Sequence, residues 1–131
     1  MKLLLAISSI ILLSASGKSC KQQQELPEGC YKGKLVIKAA CMNYTISVTG
    51  GTMDTSRIES SWTDETTSKT YKNVFALGSR CNFPPDIKEG DEFYFNIDST
   101  TAMNCAVCLI YYPVPQRHLS IKLLSQPCNQ Q

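Results

Sequence analysis

Seven cysteines, Cys20, Cys30, Cys41, Cys81, Cys105, Cys108 and Cys128, stand in a chain of 131 residues, and all of them follow an N-terminal export pattern. Met1-Lys2 supplies one positive charge, Leu3 to Leu13 a largely apolar run, and Ala15-Ser16-Gly17 the small residues before a cut near Lys18. This is the layout of a secretory signal peptide, residues 1–17. The run falls short of the roughly 20 apolar residues that a membrane-crossing helix needs, so a secreted, extracellular chain without a membrane span is expected. In the remaining small domain such cysteine density reads as a disulfide framework, because the oxidising route permits bridges and a small core benefits from them. An odd number leaves one cysteine over, either buried, capped or paired with another chain, so a disulfide-linked dimer is one expectation. Which cysteines pair stays open.

Charge names no partner. Once Lys2 leaves with the signal, twelve basic residues face eleven acidic ones, and the two signs are interspersed along the chain. Nucleic acid and heparin require a one-sided basic surface, and neither is expected to bind.

The patterning is that of strands. Residues 18–28 are polar, with a glutamine run and no periodicity, and read as an extended arm. Gly29-Cys30 opens a single domain, residues 29–128, and residues 129–131 form a tail. From Lys34 the alternation places Leu35, Ile37, Ala39 and Cys41 on one face, then shifts phase to Met42, Tyr44, Ile46 and Val48. A shift of one residue predicts a bulge, or a corner near Cys41, and Gly50-Gly51 ends the run. Ile58 and Trp62 are expected inward on the next strand, followed by Tyr71, Phe75 and Leu77 on another. Cys81 and Pro84-Pro85 sit in a loop, since consecutive prolines remove ladder donors. Phe93, Phe95 and Ile97 then share an inward face opposite Glu92, Asn96 and Asp98. Cys105 to Tyr112 is apolar at both parities and is expected to be a central buried strand, forming a hairpin with the strand before it. Leu119, Ile121 and Leu123 face inward on the last strand. Six or seven short strands with close turn signals make the expected fold all-β, a small disulfide-stapled sandwich or OB-like barrel.

Motifs that carry chemistry are few. Cys105-Ala106-Val107-Cys108 has the spacing of an exchangeable dithiol, which works at a helix N-terminus, yet a strand-forming run follows it. Both cysteines are therefore expected to be structural, at least one bridging a distant cysteine among Cys30, Cys41 and Cys81. One such motif and a single histidine, His118, supply too few ligands for zinc. Asp86, Glu89, Asp91 and Glu92 lack the spacing of a calcium loop, so no cofactor or metal is expected. His118 falls on an outward register, and no nucleophile or acid pair accompanies it in the pattern that catalysis requires. Asn43-Tyr44-Thr45 is an acceptor motif for N-linked glycan, with Asn43 in register with Thr45, Ser47 and Thr49.

The fragment Gly29-Cys30-Tyr31-Lys32-Gly33-Lys34, leading into a bent strand with later strands closed by disulfide, resembles in outline small secreted OB-type domains such as the netrin-like modules. The likeness is one of architecture, because Lys18-Ser19 precede Cys20 where a protease inhibitor of that group begins with its cysteine. Export, bridges and alternating strands all serve a stable surface. The expected function is accordingly a non-enzymatic binding or structural protein: a soluble factor, matrix component or inhibitor with an extracellular protein or matrix partner. The alternatives are a thiol-disulfide oxidoreductase using Cys105 and Cys108, and a host-defence or toxin-like factor.

Overall fold

The computed structural model describes residues 25–100 and 104–128. The signal sequence, Cys20 and the C-terminal tail lie outside the described residues. Seven strands form one sheet: β1 Tyr31–Lys38, β2 Tyr44–Gly50, β3 Glu59–Asp64, β4 Lys69–Leu77, β5 Glu92–Ile97, β6 His118–Leu119 and β7 Ile121–Leu124. The order is β3-β4-β2-β1-β5-β7, with β6 beside β4. All ladders are antiparallel except β4 with β6. The β3 ladder on β4 stops at Glu59 opposite Val74, and β6 takes the vacated side from Ala76 onward. One nearly continuous segment, 118–124, thus lies against β4 at its start and against β5 at its end, interrupted at Ser120. The sheet curls toward a barrel without closing its ladder, as a partly open OB-like fold does.

The phase shift in the first hydrophobic run is absorbed at two places. In the β1–β2 ladder Leu35 faces Ile46 but Ile37 faces Thr45, so Val36 is an inserted residue. The corner itself is a 3-10 turn, Ala40–Met42, in which Cys41 and Met42 both take left-handed φ, 58° and 56°. Two successive non-glycine residues in that region persist only where the surroundings hold them. The Cys41–Cys108 disulfide and the Asn43 side chain do so.

Alternation delivers the core. Leu35, Ile46, Phe75, Leu77 and Phe95 are fully buried. Phe95 packs with Phe75 at 5.8 Å between ring centroids and with Tyr31 at 5.5 Å, while Phe83 meets Phe93 edge-on at 5.6 Å. Gly33 makes room for these rings: a Cβ there would lie 2.9 Å from Phe95 Cε1. The inward register expected for Phe93 and Phe95 is the one observed. Asn96 does more than face water, since its Nδ2 donates to the Gly29 carbonyl at 2.7 Å.

Three expectations are corrected. Trp62 does not join the core with Ile58; it is half-buried and stacks on Tyr71 with ring centroids 6.2 Å apart. Tyr71 in turn parts from Phe75 and Leu77, because Asn73 between them takes a φ of 52° and burial begins only at Val74. Residues 105–112 are not a strand, and β5 pairs with β1 and β7 instead.

Candidate functional site

The segment 104–117 is a strap laid from the Cys81 loop to β6 without joining the sheet. Its composition is that of a strand, but its covalent and cyclic residues keep it out of a ladder. Cys105 is bonded to Cys81 with Cα atoms 5.5 Å apart, and Cys108 to Cys41 with Cα atoms 5.1 Å apart. Pro113 and Pro115, which have no N–H to donate, are buried. Both members of the Cys105/Cys108 pair therefore bridge distant cysteines, and they do not bond each other. The third disulfide, Cys30–Cys128, joins the start of β1 to the chain beyond β7 across 98 residues. Several bridges within so small a β domain are typical of extracellular proteins.

Polar ties fix the rest of the strap. Asn43 Nδ2 donates to the Ile110 carbonyl at 2.9 Å and to the Ala40 carbonyl at 2.9 Å. The Tyr112 hydroxyl donates to Asp64 Oδ2 at 2.9 Å. Asp64 is buried at the end of β3, where its carboxylate also accepts from the Thr66 amide at 2.8 Å, the Thr66 hydroxyl at 2.7 Å and the Thr67 hydroxyl at 3.0 Å. Burial pushes its pKa up, but the bonds from Thr66, Tyr112 and Thr67 outweigh it and hold the carboxyl below its ordinary range. For Tyr112 the Thr66 contact pulls downward, while the bond to Asp64, burial and the nearby negative charge raise the phenol pKa overall. Further along, Glu59 Oε1 accepts from the amides of Gln116 and Arg117, and the Arg117 carbonyl accepts from Ala76 N–H at 2.8 Å.

What the strap presents is apolar. Leu109 is 98% exposed, Ile110 62% and Tyr111 83%, and among the described residues these are the large apolar side chains that stand out in solvent. Single exposed hydrophobes are ordinary, whereas here three stand consecutively on an anchored segment. Reading the run as a buried strand concealed it. The signal available in the sequence was the pair of prolines at 113 and 115, which cannot donate to a ladder.

The other sequence candidates fall elsewhere. Asn43 is 8% exposed, and both its amide protons are committed to the carbonyls of Ala40 and Ile110. The nitrogen that a glycan would occupy is thus a donor within the fold. Thr45, its companion in the motif, is also buried. The register did not reveal this, because the second face of β2 is covered too: Val74 and Ala76, in ladder with it, are buried. His118 is exposed on β6, its pKa lowered by partial burial and by the Arg80 charge. Among the described residues no group of three or more His, Cys, Asp or Glu could hold a metal ion. No helix among them is long and apolar enough to cross a membrane. Compared with known protein families, curated proteins and solved structures, the chain matches none of them.

Proposed function

We propose that this is a secreted, non-enzymatic binding protein that engages an extracellular partner protein through Leu109, Ile110 and Tyr111. One observation carries the reading: these side chains are held out in solvent by a strap that two disulfides and a buried carboxylate immobilise. A rigid segment loses little conformational entropy on binding, so its apolar area converts efficiently into affinity. The domain beneath it supplies stability and orientation.

The test uses a photo-crosslinking residue at position 109 in the fluid into which the protein is secreted. A discrete adduct is expected, and unlabelled wild-type protein should compete it away. A Leu109→Asp, Tyr111→Asp variant should fail to compete while keeping the wild-type melting temperature, since neither side chain is buried. Equal competition by the variant would remove the strap from the binding surface.

A further inference from the structure

The strap is more than an apolar patch. Among the described residues, the backbone N–H groups of Ala106, Val107, Leu109, Ile110 and Tyr111 make no hydrogen bond within the protein. From Asn104 to Gln116 there is no charged residue. Both flanks of Leu109 are fixed, on one side through the Cys108–Cys41 bond and on the other through the Ile110 carbonyl on Asn43 and the Tyr112 hydroxyl on Asp64.

These features select among the surfaces that could cover Leu109. Lipid is a poor match, because unpaired amides entering hydrocarbon find no acceptor, and no lysine or arginine flanks the apolar residues to meet head groups. A groove that binds extended chain is a good match. It supplies backbone partners for the free amides and a pocket for a projecting side chain.

We propose that residues 105–111 act as the substrate-like segment of an endopeptidase inhibitor, with Leu109 entering a primary pocket that takes large apolar side chains. This rests on the reading of the strap as the recognition element. The anchors explain why binding would not end in digestion. Attack on the Leu109 carbonyl carbon bonds it to the enzyme's nucleophile, breaks the Leu109–Ile110 C–N bond and passes a proton to the Ile110 nitrogen. That new amine is still tethered by Asn43, by Tyr112 and by the fold on one side, as Leu109 is by Cys108 on the other. It therefore stays in place to attack back, expel the nucleophile and restore the peptide bond.

The experiment titrates chymotrypsin and subtilisin, whose primary pockets are apolar, and trypsin, whose pocket is acidic, with the disulfide-intact protein. Wild type should inhibit one or both of the apolar-pocket enzymes and leave trypsin unaffected. Leu109→Gly should weaken that inhibition by about 100-fold, and Leu109→Lys should transfer inhibition to trypsin. Melting temperatures of both variants report that the fold is intact. Rapid cleavage after Leu109 without inhibition would make the strap a substrate and overturn the proposal. So would a lack of inhibition of every enzyme, or Leu109-dependent binding to phosphatidylcholine vesicles instead. If the crosslink at position 109 persists while no endopeptidase is inhibited, the recognition surface stands and only the partner class falls.

Discussion

At the scale of single residues, the Asn43-Tyr44-Thr45 motif lies at a buried corner of the fold. Asn43 spends its amide on two carbonyls, one in the corner and one in the strap, and so ties Ile110 to the β1–β2 turn. Treatment of the protein, expressed through a eukaryotic secretory route, with an N-glycan-removing enzyme is expected to leave its intact mass unchanged. Asn43→Ala should lower stability by about 1–3 kcal/mol in denaturant unfolding, because the carbonyls lose their donor. Thr45 behaves oppositely. Its hydroxyl is buried with no hydrogen-bond partner among the described residues, and a buried unpaired polar group is costly. Thr45→Val keeps the branched shape and is expected to raise stability by about 1 kcal/mol, seen as a higher denaturant midpoint at unchanged slope.

At the scale of elements, the strap depends on a carboxylate. Asp64 anchors Tyr112 and closes the β3–β4 turn, and its folded pKa lies below the ordinary value of 3.8. A depressed folded value means that the ionised form stabilises the fold. That contribution is fully present above the unfolded pKa and is lost as pH falls through the lower folded one. Stability is therefore expected to drop on acidification below about pH 4, and Asp64→Asn should flatten that part of the profile while lowering stability at neutral pH. Equilibrium unfolding across the acid range measures both. The exposed Lys32–Glu92 pair, at 2.7 Å, joins β1 to β5 but is too solvated to contribute comparably.

At the scale of the molecule, the three bridges among the described residues divide the work. Cys30–Cys128 clasps the domain's two ends, whereas Cys81–Cys105 and Cys41–Cys108 fasten the strap. Closing 98 residues removes much entropy from the unfolded chain. Replacing Cys30 and Cys128 together by serine is expected to cost about 2–5 kcal/mol, measured by thermal or denaturant unfolding, while crosslinking from position 109 in the protein that remains folded persists. Loss of Cys81–Cys105, which spans only 24 residues, should affect recognition more than global stability.

Local chemistry determined how most of the core residues face. Leu35 and Ile46, Phe75 and Leu77, Phe93 and Phe95 were legible as inward residues from period-two alternation alone, and Gly50-Gly51 as a stop, because these depend on neighbours a few residues away. The export pattern and the cysteine density likewise pointed to a disulfide-held β domain. Pairing across long separations was not legible. Only the tertiary structure decides that β6 lies parallel to β4, that Cys41 meets Cys108, and that the second face of β2 is covered. The same holds for Leu109. Its neighbours read as a buried strand by composition, but a strand needs a vacant ladder beside it. The sides of β4 and β5 are already taken by other strands, and the two bridges together with the buried prolines hold the segment away from the sheet. Burial is a property of what surrounds a side chain, and for this strap the surroundings are assembled from Cys41, Asn43, Asp64 and Cys81, all distant in sequence.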